Sequence, residues 1–235
     1  MRFSQKSALT GIIFIIVLSA TFSLTSRPIR SLLGMFKGWR LPYDAEVEYL
    51  ESTGTQWIDT GVVPKNSTGF QVSCRCLGTT SLANYRLIGV QDGSIRCLFS
   101  VQAFGTDNTF FGWNTAINQL GLYYDVDVDA SLNYLNNRYA ILNGQTKANN
   151  LSTLGVITRP MYLFGNNSAN GNIPDNFSER VYLARISEDS TLVRDFIPVR
   201  FTNEKDEPEG AMYDRVSGEL FRNQGTGAFV IGPDL

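Results

Sequence analysis

Three groups of side chains in this sequence have the types and spacing to do chemistry. Glu46, Glu48 and Glu51 stand at i, i+2 and i+5. Two carboxylates flanking a glycosidic bond can act as acid and base in its hydrolysis. On a strand, successive side chains alternate faces. Glu46 and Glu48 then share one face, and Glu51 points the other way unless a bulge intervenes. A solvated strand face is therefore the expectation here. Asp125, Asp127 and Asp129 alternate with Val126 and Val128. They are metal candidates because Ca²⁺ takes hard oxygen ligands, but its ligands must converge. Side chains two apart on a strand stand about 7 Å apart. No EF-hand glycine or closing glutamate accompanies them, so a solvated outer face competes with the metal reading. Trp113 with Asn114, and Tyr123 beside Tyr124, could stack on a sugar ring and bond its hydroxyls. The competing reading is that these rings are core.

What the chain lacks narrows the chemistry further. It contains no histidine. That removes histidine-based triads, imidazole acid–base catalysis and His-ligated metal sites. No glycine-rich phosphate loop joins a strand to a helix, so no nucleotide cofactor is expected. The three cysteines are Cys74, Cys76 and Cys97. Cys74 and Cys76 would share a strand face, and Cys97 could pair with either, leaving one over. Buried free thiols are the expectation, with a disulfide as the alternative if the domain is exported.

Charge is unevenly spread. Residues 1–40 carry six basic side chains (Arg2, Lys6, Arg27, Arg30, Lys37, Arg40) and no acidic one. The rest of the chain carries fourteen basic and twenty-two acidic side chains. A basic leader thus precedes an acidic domain, which would repel nucleic-acid phosphates.

The leader reads as a targeting segment. Met1–Lys6 is a short positive stretch, and Ala8 to Leu24 is largely apolar around Gly11–Leu18. Seventeen residues reach the lower limit of about 17–25 for a membrane helix. Leu18-Ser19-Ala20 has Leu where a cleavage site prefers a small residue, so an uncleaved anchor is favoured over a signal peptide. After Arg27-Pro28, residues Ile29, Leu32, Leu33 and Phe36 fall on one helical face flanked by basic residues, a pattern suited to a membrane surface or to a packed linker. The expected organisation is a signal or anchor at 1–26, a basic amphipathic linker at 27–40 and one β-domain at 41–235.

From Leu41 onward the pattern is that of strands and turns. Ala45–Leu50 and Thr55–Asp59 read as the first strands. Phe70, Val72, Cys74 and Cys76 alternate with Gln71, Ser73 and Arg75, predicting one buried face. Tyr85–Val90 and Ile95–Phe104 pair across the Asp92-Gly93 turn. Further strands are predicted at Phe110–Trp113, Gly121–Val128, Arg138–Leu142, Met161–Phe164 and Val181–Ile186, with Gln145–Lys147 turning back after Asn143-Gly144. Gly165 to Asn176 is rich in Gly and Asn and reads as a loop. Such loops carry recognition, which makes Asn166 and Asn167 candidate ligand contacts. Thr191–Arg194 could form a turn of helix. Glycosylation sequons fall at Asn66, Asn150, Asn166 and Asn176.

The end of the chain is its most patterned part. Leu192–Phe201 is an extended apolar run, and Thr202–Gly210 a polar loop. Ala211–Asp214 and Glu219–Phe221 form the arms of a hairpin turned by Ser217-Gly218. Gly225-Thr226-Gly227 turns into a last strand, Ala228–Ile231. Together with the opening stretch Glu48-Tyr49-Leu50-Glu51-Ser52-Thr53-Gly54-Thr55-Gln56-Trp57-Ile58-Asp59-Thr60-Gly61, this end resembles the closing and opening motifs of concanavalin A-like (laminin G-like) jelly-roll domains of gut bacteria and their phages. Members of that group usually carry Tyr where Trp57 stands. The motifs bracket about Val47 to Pro233.

The resemblance implies an antiparallel β-sandwich of the concanavalin A-like jelly-roll type, preceded here by the N-terminal hydrophobic segment. It keeps Ca²⁺ open at Asp125, Asp127 and Asp129, since laminin G-like relatives often bind it. The Glu46/Glu48/Glu51 spacing is similar to the E-x-D-x-x-E strand of jelly-roll β-glucanases, with Glu in place of Asp. The fold hosts many functions, so function has to be argued from the site. The expected function is a non-enzymatic module for recognition or adhesion that binds a glycan or a surface protein. It would be exported and held at the membrane through Ala8 to Leu24. A structural part of a bacterial envelope or phage virion, with self-association, is the alternative. A glycoside hydrolase comes third.

Overall fold

Alternation of apolar and polar side chains sets the strands, and several of the turns between them take positive φ, at Gly93 and Gly218 and also at Asp189 and Ser190. The computed structural model describes residues 41–77, 84–104, 106–119, 129–135, 139–142, 145–149, 152–168, 171–173 and 178–235. The predicted leader helix, the predicted strand at Gly121–Val128 and the sequons Asn150 and Asn176 lie outside them. Among the described residues every regular element is a strand, and no helix is long and apolar enough to cross a membrane. In chain order the strands begin with β1 (Ala45–Glu46), β2 (Leu50–Ser52), β3 (Ile58–Asp59), β4 (Thr68–Cys76), β5 (Asn84–Asp92) and β6 (Ile95–Phe104). Then come β7 (Thr106–Asn114), β8 (Ala116–Gln119), β9 (Asp129–Leu135), β10 (Tyr139–Leu142), β11 (Gln145–Asn149), β12 (Tyr162–Leu163) and β13 (Asn166–Ser168). The last are β14 (Gly171–Ile173), β15 (Glu179–Glu188), β16 (Thr191–Thr202), β17 (Pro208–Asp214), β18 (Glu219–Arg222) and β19 (Val230–Ile231).

These strands form two sheets. The larger runs β11-β10-β9-β4-β15-β16-β17-β18, with β1, β2 and β19 joined alongside β15 and β16. The smaller runs β14-β13-β5-β6-β7-β8, with β12 and β3 beside β5. Pairing is antiparallel apart from β13 on β5. Phe70, Val72 and Cys74 of β4 point inward, with Gln71, Ser73 and Arg75 outward, as alternation predicts. They share one core with Ile88, Val90, Cys97, Trp113 and Leu163 of the smaller sheet. Two sheets with a common apolar interior make a β-sandwich.

One bulge corrects the alternation on β15. A strict period of two would send Leu183 inward with Val181. The register shifts between Val181 and Leu183, so that Ala184 and Ile186 follow Val181 into the core. Leu183 turns instead to a second cluster on the other face of the larger sheet, with Ile197, Val199, Phe201, Ala211 and Tyr43. β16 is thus apolar on both faces: Phe196 faces the main core and Ile197 the second cluster. This double burial accounts for the continuous apolar run from Phe196 to Val199.

Tertiary pairing overrides local signals at three places. Thr191–Arg194 is the start of β16, not a turn of helix, because it pairs with Ile186 to Glu188 of β15. The Gly- and Asn-rich stretch after Gly165 is not all loop: Asn166–Ser168 and Gly171–Ile173 form a short hairpin docked on β5. The predicted opening strand Ala45–Leu50 is split, β1 pairing with β16 and β2 with β15 and β19.

The opening and closing motifs interlock. Thr55 Oγ1 donates to Thr226 O at 2.7 Å, and Thr226 N donates to Thr55 O at 3.1 Å. Gln224 N donates to Trp57 O, and Trp57 N donates to Asn223 Oδ1. The buried Gln56 carboxamide accepts from Thr53 N and donates to Thr226 O. Gly225 has no room for a side chain, since a Cβ there would lie 1.9 Å from Thr55 O. The residues that carry the resemblance are thus residues that close the domain.

Candidate functional site

The residues singled out from sequence are spread over several places. Trp113 is fully buried, and its indole N–H donates to Ser152 O at 2.6 Å. Asn114, at φ 56°, donates to Ser152 Oγ and accepts from Gly155 N. Both side chains hold the extended segment 152–160 against the smaller sheet. Trp113 therefore offers no face to a sugar. Tyr123, Asp125 and Asp127 lie outside the described residues. Asp129 begins β9 and is paired in register with Arg75, a cation on the neighbouring strand. Among the described residues no group of three Asp, Glu or Cys is placed to hold a metal ion.

The glutamates of the opening stretch are each engaged separately. Glu46 on β1 accepts from the Tyr43 hydroxyl at 3.0 Å. Glu51 on β2 pairs with Arg180 at 2.8 Å, and the Arg180 guanidinium lies 4.1 Å from the centre of the Tyr49 ring. Glu48 falls between the two strands and is exposed. The split of β1 from β2 is what separates them. The spacing in sequence is kept, but the common strand that would have aligned the three carboxylates is not.

A different constellation forms on the outer face of the smaller sheet. Ile58 of β3 and Leu163 of β12 are paired and fully buried. Alternation then sends Trp57, Asp59 and Tyr162 outward. Asp59 and Tyr162 are themselves in register. Trp57 stacks on Tyr162 with ring centroids 4.1 Å apart and planes 26° apart, and both rings are partly exposed. Asp59 Oδ1 accepts from Gly61 N at 2.8 Å. Burial pushes the Tyr162 phenol up, the Asp59 charge adds to this, and Arg159 opposes it. Both charges are therefore felt at the ring. Sequence reading had Trp57 in hand as the odd residue of the opening motif. It did not pair it with Tyr162, which lies about a hundred residues away and carries no local signal.

Next to Tyr162 the smaller sheet is tightly packed. Gly89 of β5 is in register with Tyr162 and with Leu98 of β6. A Cβ on Gly89 would meet Leu98 Cβ at 2.5 Å and Asn166 Oδ1 at 3.2 Å. Gly112 meets Leu98 in the same way from the other side. The Asn166 carboxamide is fully buried and has no hydrogen-bond partner among the described residues. Asn167 is also buried, and its Nδ2 donates to Pro160 O at 2.9 Å. Of the two loop asparagines, Asn167 fastens the segment before β12, while Asn166 carries an unspent amide over Gly89.

No protein-family model matches the chain, and no curated protein matches it.

Proposed function

We propose that the chain is a non-enzymatic recognition module that binds a glycan at a surface. Its sandwich is read as a concanavalin A-like jelly roll, exported and tethered through Ala8 to Leu24. The observation that carries the reading is the partly exposed Trp57–Tyr162 stack on the outer face of the smaller sheet. Exposed aromatic rings are costly to leave in water, and a flat ring matches the C–H face of a pyranose. The stack is built on rigid paired strands, so it is organised before any ligand arrives. Asp59, in register with Tyr162, supplies a polar group of the kind a binding surface needs to fix orientation.

The test is binding of the full-length chain, in mild detergent, to an array of polysaccharides, with Ca²⁺ and again with chelator. Saturable binding that falls at least tenfold in Trp57→Ala is the expected result. Loss of binding in chelator would return a metal to the Asp125–Asp129 segment. No saturable binding to any glycan, together with concentration-dependent self-association, would overturn the reading in favour of a packing role in an envelope or virion.

A further inference from the structure

On the larger sheet, Ala184 and Ile186 of β15 face the core, so Arg185 between them faces outward. Arg185 is in register with Asp195 of β16, and the turn after β17 brings Arg215 to the same carboxylate. Arg185 Nε donates to Asp195 Oδ1 at 2.8 Å. Arg215 Nε donates to Asp195 Oδ2 at 3.0 Å, and its Nη2 lies 2.8 Å from that oxygen. The Asp195 side chain is 12% exposed, against 39% for Arg185 and 43% for Arg215. The carboxylate is covered and the two cations are open to solvent.

Two features separate this group from an ordinary surface ion pair. Its charge does not balance, since two guanidiniums meet one carboxylate in a domain that carries twenty-two acidic and fourteen basic side chains. On its other side Arg185 is in register with Gln71, so the sheet sets no second carboxylate beside it. Exposed ion pairs add little to stability, so the fold does not call for the second cation. The group also has donors to spare. A guanidinium carries five N–H donors, and apart from those given to Asp195 neither arginine spends any among the described residues. Asp195 fixes both side chains before any ligand arrives. Because a carboxylate already bridges the pair, its spacing is one that an oxyanion can span.

A ring stands beside these cations. Tyr213 of β17 is in register with Ile197, two residues along from Asp195, and belongs to the cluster on the same outer face. It is partly exposed, with Tyr43 on one side at 4.9 Å between centroids. Its hydroxyl lies 3.9 Å from where a Cβ on Gly218 would stand, so the ring reaches towards the turn that carries Arg215. A ring next to a cation pair suits a sugar that bears an anionic group. Nucleic acids and anionic membranes spread their charge over an area that this acidic domain would repel. A single uronate or sulfate ester needs only the one cationic spot.

We infer that Arg185 and Arg215 form a second binding site, on the outer face of the larger sheet, for the carboxylate or sulfate group of an acidic sugar, with Tyr213 beside the sugar ring. This site and the Trp57–Tyr162 stack are on different sheets, and it stands whether or not that stack binds a glycan.

The experiment measures binding of the full-length chain, in mild detergent, to polygalacturonate (carboxylate), carrageenan (sulfate) and galactan (neutral). Wild type is expected to bind one or both acidic polymers at least tenfold more tightly than galactan. Arg185→Gln and Arg215→Gln should each weaken acidic binding about tenfold, and Arg185→Lys and Arg215→Lys, which keep the charge but not the fork, about threefold. Trp57→Ala should leave acidic binding unchanged. Residues 1–40 carry six basic side chains of their own, so a residue-resolved reading is added. Wild type is treated with phenylglyoxal, which modifies guanidiniums, with and without the acidic polymer that binds. Mass spectrometry should show Arg185 and Arg215 protected at least fivefold, which also serves if the glutamine variants fail to fold. Acidic binding that is absent, that survives in both glutamine variants, or that is lost in Trp57→Ala instead overturns the inference, as does equal modification of Arg185 and Arg215 with and without polymer.

Discussion

The carboxylate of Asp214 accepts the backbone N–H of Asp195 at 2.8 Å, and the backbone carbonyl of Asp195 accepts the N–H of Arg215 at 2.9 Å. Each of two acidic residues, nineteen apart in sequence, thus holds the other's strand. Asp214 is fully buried at the end of β17. It also accepts from Val216 N and Ser217 N, and so shapes the turn into β18. Arg194 lies 3.6 Å from its other oxygen. Asp195 faces the opposite side of the sheet, where its two oxygens are bonded by Arg185 and Arg215 at 2.8 Å each. The acidic residues of the closing motif are spent on architecture.

Asp214→Ala is expected to destabilise the domain by about 3–5 kcal/mol, because it leaves three backbone donors and a nearby guanidinium without their acceptor. Asp214→Asn should cost less, since its oxygen can still accept. Equilibrium denaturant unfolding measures both. A loss under about 1 kcal/mol for the alanine variant would contradict the assigned role.

Gly225→Ala should cost about 3 kcal/mol or prevent folding, because the new methyl would collide with the Thr55 carbonyl rather than with a side chain able to move. Gly93→Ala serves as the control. Unlike Gly225 it sits at positive φ, but nothing lies within 4 Å of its Cβ position, so only backbone strain of about 1 kcal/mol is expected. Melting temperatures should therefore order wild type, then Gly93→Ala, then Gly225→Ala. Equal shifts for the two variants would remove the steric argument.

Cys74 and Cys97 are buried thiols outside any disulfide, on opposite sheets of one core. Burial pushes the Cys97 thiol far above its ordinary range, so the reactive thiolate is almost absent at neutral pH. Neither cysteine should react with iodoacetamide in the folded protein over an hour, and both should react fully in denaturant. Mass spectrometry of the alkylated peptides reads this directly. Rapid native labelling at Cys97 would show that the core opens.

The segment 152–160 should loosen in acid. The Thr158 hydroxyl and amide both donate to Asp92 Oδ2, at 2.7 and 3.1 Å, and hold its carboxyl below the ordinary range. A carboxyl depressed in the folded state contributes fully above its unfolded value, about 3.9, and loses that contribution as pH falls through the folded value. Amide exchange at Thr158, corrected for the intrinsic rate, should be steady from pH 7 down to about 4 and accelerate below it. Asp92→Asn should show the faster exchange already at neutral pH. A pH-independent wild type would argue against the contact.

The strands were legible where one face alone is buried. β4 follows the alternation of its sequence, and the turns at Gly93, Gly218 and Gly227 all take positive φ as their residues require. β13 and β14 were not legible, since Asn and Gly carry no strand signal and only the edge of β5 makes them extended. Nor was the inward turn of Ala184, because the bulge that sets it is a property of the pairing with β4. The candidate site was half legible. Trp57 stood out within its motif, but its partner Tyr162 is selected by the register of β3 on β12. Trp113 shows the reverse case: an aromatic beside an asparagine looked suited to a sugar, yet both side chains serve the strap across the sheet.

The closing bridge has a mechanical consequence. Val47 is bridged antiparallel to Asp234, Glu48 N donates to Pro233 O, and Leu235 N donates to Glu46 O. The two ends of the domain therefore leave side by side and in the same direction. Tension applied through them would open these bonds one after another, like a zip, together with the bonds that hold β1 to β16 at the same end. A sheet pulled in shear breaks many bonds at once, whereas one unzipped yields at low force. Pulled by its two ends, the domain would give way first at the seam where its opening and closing stretches meet, and next at the β2–β19 pair behind it.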